Sequence, residues 1–241
     1  MLKDVTYPPH RHFKSRTEWE PIGFFSDCLC NATQFDLMLG FFSSSAINVL
    51  ADGFAAFLYN GGQMRLIIND ILTEQDRNAI ANGLSNEKIP FFDLTNIEQI
   101  KDTLSERDKH FFDCLSWLIR NNRLGIKIIA PISGVGISHT KTGVFSDGVN
   151  TVGFDGSCNF SRSALIANIE SLIVSCDWDG NTSSATINEI KNEFDLVYLI
   201  YTVMESATKM VPVVMRLAPV DKKSMKALVE AEHVECNLDD V

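Results

Sequence analysis

Apolar and polar residues recur along this chain with two different periods, and each change of period marks a new element. The mostly apolar run FDLMLGFFS (35–43) reads as a buried strand. SSSAINVLADGFAAFLYNGG follows, with Ile47, Leu50, Ala51, Phe54, Phe57 and Leu58 at helical spacings between opening serines and closing glycines. That pattern predicts one capped helix packed on a sheet. QMRLIIND (63–70) is a second strand, so the chain offers a strand-helix-strand unit with a right-handed crossover to a parallel neighbour.

Residues 73–84 and 96–106 read as surface helices on either side of IPFFDL, and 108–120 as a stronger helix with a core stripe of Phe111, Cys114, Leu115, Leu118 and Ile119. GIKIIAP (125–131) is a short strand, followed by the glycine-containing loop ISGVGIS. HTKTGVFSDGVNTVGFDGSCNFS then predicts two strands around the turn Ser146-Asp147-Gly148. ESLIVSCDW (170–178) is a further strand, ahead of a helix with Ile187, Ile190, Phe194, Val197, Tyr198 and Tyr201 on one side. The start of the chain reads as a polar, proline-containing lead-in. From Ser206 the pattern is mixed: MVPVVMRLAPV is strand-like and broken by prolines, and DKKSMKALVEAEHVE is a short charged helix. The expected fold is α/β, with a mixed, largely parallel sheet flanked by helices on both faces. One domain is expected over 1–205, and 206–241 as an extension packed on it or leading to a region absent from this chain.

Composition narrows the setting. With 241 residues and 45% hydrophobic content, the chain can bury one substantial core. No run of about 18 apolar residues occurs and the first twenty residues lack the apolar stretch of a signal peptide, which points to a cytoplasmic protein with no membrane partner. Six scattered cysteines, with no spacing suited to zinc, read as reduced and mostly buried thiols. A net charge of −10 argues against a protein that coats nucleic acid. Local runs differ: 101–130 holds six basic and four acidic residues, and 206–230 five basic and two acidic. Either is a solvated helix face or a stripe that tracks a phosphate backbone.

The chemistry gathers in one segment. His139-Thr140-Lys141 is followed, after a strand and a turn, by Gly156-Ser157-Cys158-Asn159, and then by Glu170. Residues two apart on a strand face the same side, so His139 with Lys141, and Ser157 with Asn159, are expected to present an imidazole, an ammonium, a hydroxyl and an amide to one point. Such a set suits a phosphate in a low-dielectric cleft. Serines 43–45 read first as a helix N-cap run and second, through Ser43, as part of the pocket rim. Arg162 is either a phosphate contact or a surface charge. His10, His12, His110 and His233 show no partners in the sequence, and His12-Phe13-Lys14 is a chance second match to HxK.

His139, Lys141, Gly156, Ser157 and Asn159 together resemble the HxK…GSxN signature, the HKD motif, of the phospholipase D superfamily. The resemblance covers roughly 35–170, and 139–170 carries its specific part. It implies a metal-independent phosphodiesterase without cofactor, in which His139 attacks phosphorus and a second histidine protonates the leaving oxygen. Glu170, eleven residues after Asn159, resembles the glutamate that orients the histidine in the nuclease branch. The motif's aspartate is displaced: Asp147 lies one residue late and in a turn, so it is given no catalytic role. A single motif copy implies a homodimer with a shared site. The stretch from GFFSSSAINV to IIND is similar to phospholipase D-like domains of bacterial restriction enzymes and defence-linked helicases. It implies a DNA endonuclease working beside a helicase or DNA-recognition domain or subunit. A lipid-cleaving or phosphatidyl-transferring enzyme, and a non-catalytic dimerisation module, are the alternatives.

Overall fold

The computed structural model describes residues 1–85, 88–131, 138–208 and 215–217. In chain order the elements are β1 (His12–Lys14), α1 (Pro21–Asn31), β2 (Gln34–Leu39), α2 (Ser45–Val49), α3 (Ala51–Tyr59), β3 (Gln63–Asn69) and α4 (Glu74–Leu84). There follow α5 (Ile97–Ser105), α6 (Lys109–Arg120), β4 (Leu124–Pro131), β5 (Lys141–Ser146), β6 (Thr151–Gly156), α7 (Arg162–Ile166), β7 (Ser171–Cys176), α8 (Asn181–Thr208) and β8 (Met215–Leu217).

The strands make one sheet in the order β1-β7-β6-β5-β2-β3-β4-β8. β2, β3, β4 and β8 run parallel. The other four pairings, β2 with β5, β5 with β6, β6 with β7 and β7 with β1, are antiparallel. The sheet is mixed, as the patterning indicates, but its parallel part is only half rather than most of it. Strands joined through a helix cross over and run parallel, whereas β5 and β6 are joined by a tight turn, which forces reversal.

Alternation along the strands sorts side chains to two faces. On one, α8 sets Phe194 against Met38, Ile67 and Ile129, and Ile187 and Ile190 against Val144. On the other, Phe35, Leu37, Leu39, Leu66, Phe145 and Phe154 meet α1, α3 and their neighbours in the main core. Phe35 and Phe145 are opposite one another in the ladder, and their rings stack with centroids 3.9 Å apart. Asp36 and Arg65, likewise register partners, form a two-pronged ion pair at 2.7 Å on both prongs, and Arg65 also reaches Asp195 of α8 at 2.7 Å. This ties the long helix to the parallel half of the sheet. Among the described residues no helix is long and apolar enough to cross a membrane.

Several expectations change in detail. The single helix expected after the first strand is two, broken at Leu50. The polar lead-in contains β1 and α1, the latter with Pro21 in its first turn and Phe24, Phe25, Cys28 and Leu29 buried. Five of the six basic residues in 101–130 have partners within the fold. Lys101 pairs with Asp52, Arg107 with Asp76, Arg120 and Arg123 bond backbone carbonyls, and Lys127 lies over Tyr198. His10 and His110 do have partners: His10 Nδ1 accepts the His12 N–H at 3.2 Å, and the His110 ring lies 4.8 Å from Phe92. Cys28, Cys30, Cys114, Cys158 and Cys176 are free thiols, all buried except Cys30. The loop 132–137, most of the basic run 206–230, the expected charged helix, His233 and Cys236 lie outside the described residues.

Asp147 closes the β5–β6 turn. Its carboxylate accepts the N–H groups of Leu2 at 2.7 Å, Val149 at 2.9 Å and Asn150 at 2.7 Å, tying the chain's start to the turn. Partial burial pushes its carboxyl up, but these N–H groups outweigh that and hold it below the ordinary aspartate value. A depressed pKa stabilises the fold above the unfolded value, about 3.9, and that contribution is lost as pH falls through the folded value. Asp147→Ala should therefore cost about 2 kcal/mol at pH 7. The matching drop in Tm is about 4–8 °C. In thermal melts from pH 7 down to pH 3, the gap between wild type and variant should narrow below about pH 4; a gap independent of pH contradicts this.

Candidate active site

β2 and β3 run parallel, and β5 and β7 begin where they end, so the carboxyl ends of β2, β3 and β6 and the starts of β5 and β7 share one edge of the sheet. Open α/β sheets offer their crevices at this edge. Lys141 opens β5 opposite Leu39, the last residue of β2. Its side chain is only 4% exposed. Its Nζ donates to the His139 carbonyl at 2.7 Å. Burial lowers the Lys141 ammonium below the ordinary lysine value, and the negative charge of Glu170 opposes that shift.

His139 precedes β5 rather than lying on it, and it is exposed. The chain can pass this close because position 40 is glycine: a Cβ there would stand 2.8 Å from the Ser138 carbonyl oxygen and 3.4 Å from the His139 Cα. The Gly40 N–H donates to the Thr140 carbonyl at 3.0 Å, which extends the β2–β5 ladder one step. Asn69, the last residue of β3, is buried and bonds Ser138 and Gly40. No sequence signal singled out Gly40 or Asn69; both sit at strand ends, where the chain turns toward the site.

Ser157 and Asn159 lie past the end of β6, in the connection to α7, so the strand alternation expected to aim them together does not apply. They turn to different partners. Ser157 Oγ donates to Glu170 Oε2 and accepts the Ser171 N–H at 3.1 Å. Asn159 Oδ1 accepts the Phe41 N–H at 3.2 Å, linking the GSxN segment to the end of β2. Gly156 is fixed by packing: a Cβ on it would fall 2.1 Å from the Ser171 carbonyl oxygen. Cys158, between them, is buried, and burial pushes its thiol up to about 12.

Glu170 is 8% exposed. Its other carboxylate oxygen accepts from Asn168 at 3.0 Å, and its N–H donates to Ser15 Oγ at 3.0 Å. Among the described residues no hydrogen bond joins Glu170 to the His139 imidazole; the carboxylate is held by Ser157 and Asn168 instead. The structure thus links Lys141 to the His139 backbone and Ser157 to Glu170, and the negative charge of Glu170 acts on the Lys141 ammonium.

The serines divide their roles. Ser43 donates its N–H to the Phe160 carbonyl at 3.0 Å, and its Oγ accepts from Ser45. Ser45 Oγ accepts the Arg162 N–H at 3.1 Å, so 43–45 and 160–162 are stitched side by side. Ser44 occupies the N-cap position of α2 without a side-chain cap bond; its hydroxyl instead meets buried Asp76, with the Arg107 guanidinium 3.0 Å from Ser44 Oγ. Arg162 begins α7 with its side chain exposed. Among the described residues no group of three or more His, Cys, Asp or Glu side chains is arranged to hold a metal ion.

No family model and no curated protein matches the chain. Among solved structures it is similar to NucT from Helicobacter pylori, 14% identical over 76% of this chain and 91% of that one, with a TM-score of 0.46. It is also similar to Nuc from Salmonella typhimurium, a phospholipase D family member, at 13% identity over 68% and 79% of the two chains and a TM-score of 0.38. Phosphatidylserine synthase from Haemophilus influenzae matches at 14% identity over 68% of this chain and 33% of its own, with a TM-score of 0.42. These are members of the phospholipase D superfamily, which the motif resembles. With TM-scores below 0.5 they carry no weight for function, which has to rest on the chain's own residues.

Proposed function

We propose that this chain is a metal-independent phosphodiesterase, the cutting module of a DNA endonuclease in a restriction or defence system, with one active site shared by two copies. The observation that carries the reading is Lys141, a buried lysine whose ammonium bonds the backbone carbonyl of an exposed histidine at the carboxyl edge of the sheet. A scaffold gains nothing from taking an ammonium out of water, whereas a site for a phosphoryl group needs a cation that water does not screen. Among the described residues one of its three N–H bonds goes to the His139 carbonyl, and phosphate oxygens would take the others.

In this reading an imidazole nitrogen of His139 attacks phosphorus and a P–N bond forms as the ester P–O bond breaks. The leaving oxygen takes a proton from His139 of the second copy, because the attacking ring cannot also stand opposite it in an in-line displacement. Water then attacks the phosphohistidine, giving its proton back to the second histidine, and both rings return to their starting states. Lys141 stabilises the charge that grows on the phosphoryl oxygens, and the negative charge of Glu170 favours the protonated form of Lys141. Ile166 and Ile169, 51% and 63% exposed on the segment leading to Glu170, offer apolar surface beside the site for the second copy. The acidity of the whole chain fits a cutter to which DNA is delivered by a helicase or a recognition domain.

Plasmid and oligonucleotide cleavage should persist in excess EDTA, and strict dependence on magnesium or manganese would overturn the assignment. His139→Ala and Lys141→Ala should each lower turnover by about 10³-fold or more with folding retained, while His12→Ala, on the edge strand β1, leaves it unchanged.

The pH profile tests Glu170. Removing its charge removes the influence that raises Lys141, so Glu170→Gln should slow turnover and move the alkaline limb of kcat to lower pH; an unmoved limb would separate Glu170 from Lys141. When wild type is mixed with excess His139→Ala under exchanging conditions, activity should follow the product of the wild-type fractions. A linear fall would show that each chain owns a complete site.

A further inference from the structure

Asn69 is 3% exposed at the end of β3, and its side-chain amide makes three hydrogen bonds. Nδ2 donates to the carbonyls of Gly40 and Ser138, both at 2.7 Å, and Oδ1 accepts the Ser138 N–H at 3.2 Å. Two carbonyl acceptors fix which end of the amide carries the hydrogens. The paired bonds to the N–H and C=O of Ser138 are those a neighbouring strand would make, at a point where β5 has not yet begun. The amide thus stands in for a strand and holds the chain extended just ahead of His139.

We propose that Asn69 is the positioning residue of the site, fixing the path of Ser138 so that His139 presents its ring at the cleft and its carbonyl to Lys141. The inference rests on the reading of His139 as nucleophile. Three consecutive links converge on that path: Asn69 on Ser138, the Gly40 N–H on Thr140, and Lys141 Nζ on His139. Gly40 takes part in two of them. Its carbonyl is the second acceptor of Asn69, and its missing Cβ leaves room for Ser138 and His139. A side chain at position 69 that cannot donate twice leaves two carbonyls facing each other without a bridge.

Asn69→Asp and Asn69→Ala separate positioning from bulk stability. An aspartate fills the same space, but when ionised it sets negative oxygens against two carbonyls, and when protonated it regains one donor. Hydrolysis of bis(p-nitrophenyl) phosphate by the full chain should show kcat lower by about 10²-fold in both variants, with KM within about 3-fold of wild type. As pH is lowered, Asn69→Asp activity relative to wild type should rise, while Asn69→Ala shows no such rescue. Amide hydrogen exchange at Gly40 and Ser138 should quicken in Asn69→Ala relative to wild type, whether or not the protein is active. Parallel loss in kcat and rise in KM without acid rescue, or unchanged exchange at both amides, overturns the proposal. If wild type lacks phosphodiesterase activity, the functional reading fails, and the exchange comparison still decides whether Asn69 holds the His139 segment.

Discussion

A buried ammonium constrains everything around it. Lys141 lies almost wholly out of water, a position that costs several kcal/mol unless the charge finds acceptors and a counter-charge. It finds them in the His139 carbonyl and in Glu170, whose carboxylate is itself oriented by Ser157 and Asn168. Around this charge the residue after β2 is a glycine that lets Ser138 and His139 pass close by, the connection after β6 bends back onto β7, and β5 starts level with the last residue of β2.

The two halves of the sheet contribute differently to that edge. The parallel half supplies a rigid floor, with Met38 and Ile67 covered by α8 and the Arg65 ion pairs fastening the helix. The antiparallel half supplies most of the candidate site residues, because reversal at the β5–β6 turn brings the end of β6 back beside the start of β5. His139 and the GSxN segment, some twenty residues apart in sequence, become neighbours through that turn, which Asp147 holds with three backbone N–H groups. An aspartate near the motif thus does structural work in the turn, away from the sheet edge where Lys141 sits.

Much of this was legible from the pattern of the chain, for identifiable reasons. β2, β3 and β4 are buried on both faces and so read as apolar runs, and α6 carries an apolar stripe sharp enough to place Phe111, Cys114 and Leu118 in the core. α1 was hidden in a polar-looking lead-in, although Pro21 followed by Phe24, Phe25, Cys28 and Leu29 is a helical signature. The antiparallel share of the sheet was hidden for a different reason: the pairing of β2 with β5 joins residues a hundred positions apart, and periodicity does not name a partner. At the candidate site, HxK and GSxN name residues that the strand pattern does not aim as expected. Alternation holds only within a strand, and His139, Ser157 and Asn159 lie just beyond strand ends. Asn69 and Gly40 gave no signal, since a single amide or glycine acquires its meaning from the backbone it touches.

The central claim is that His139 forms a covalent bond to phosphorus. The direct measurement is rapid mixing of the full chain with a labelled oligonucleotide in EDTA, stopped in denaturant at alkaline pH to preserve a P–N bond and followed by peptide mass analysis. The account predicts a transient adduct of a DNA fragment through its phosphate on the peptide that contains His139, absent from His139→Ala. Cleavage that proceeds with no adduct at any time point, or an adduct on a different residue, would contradict it.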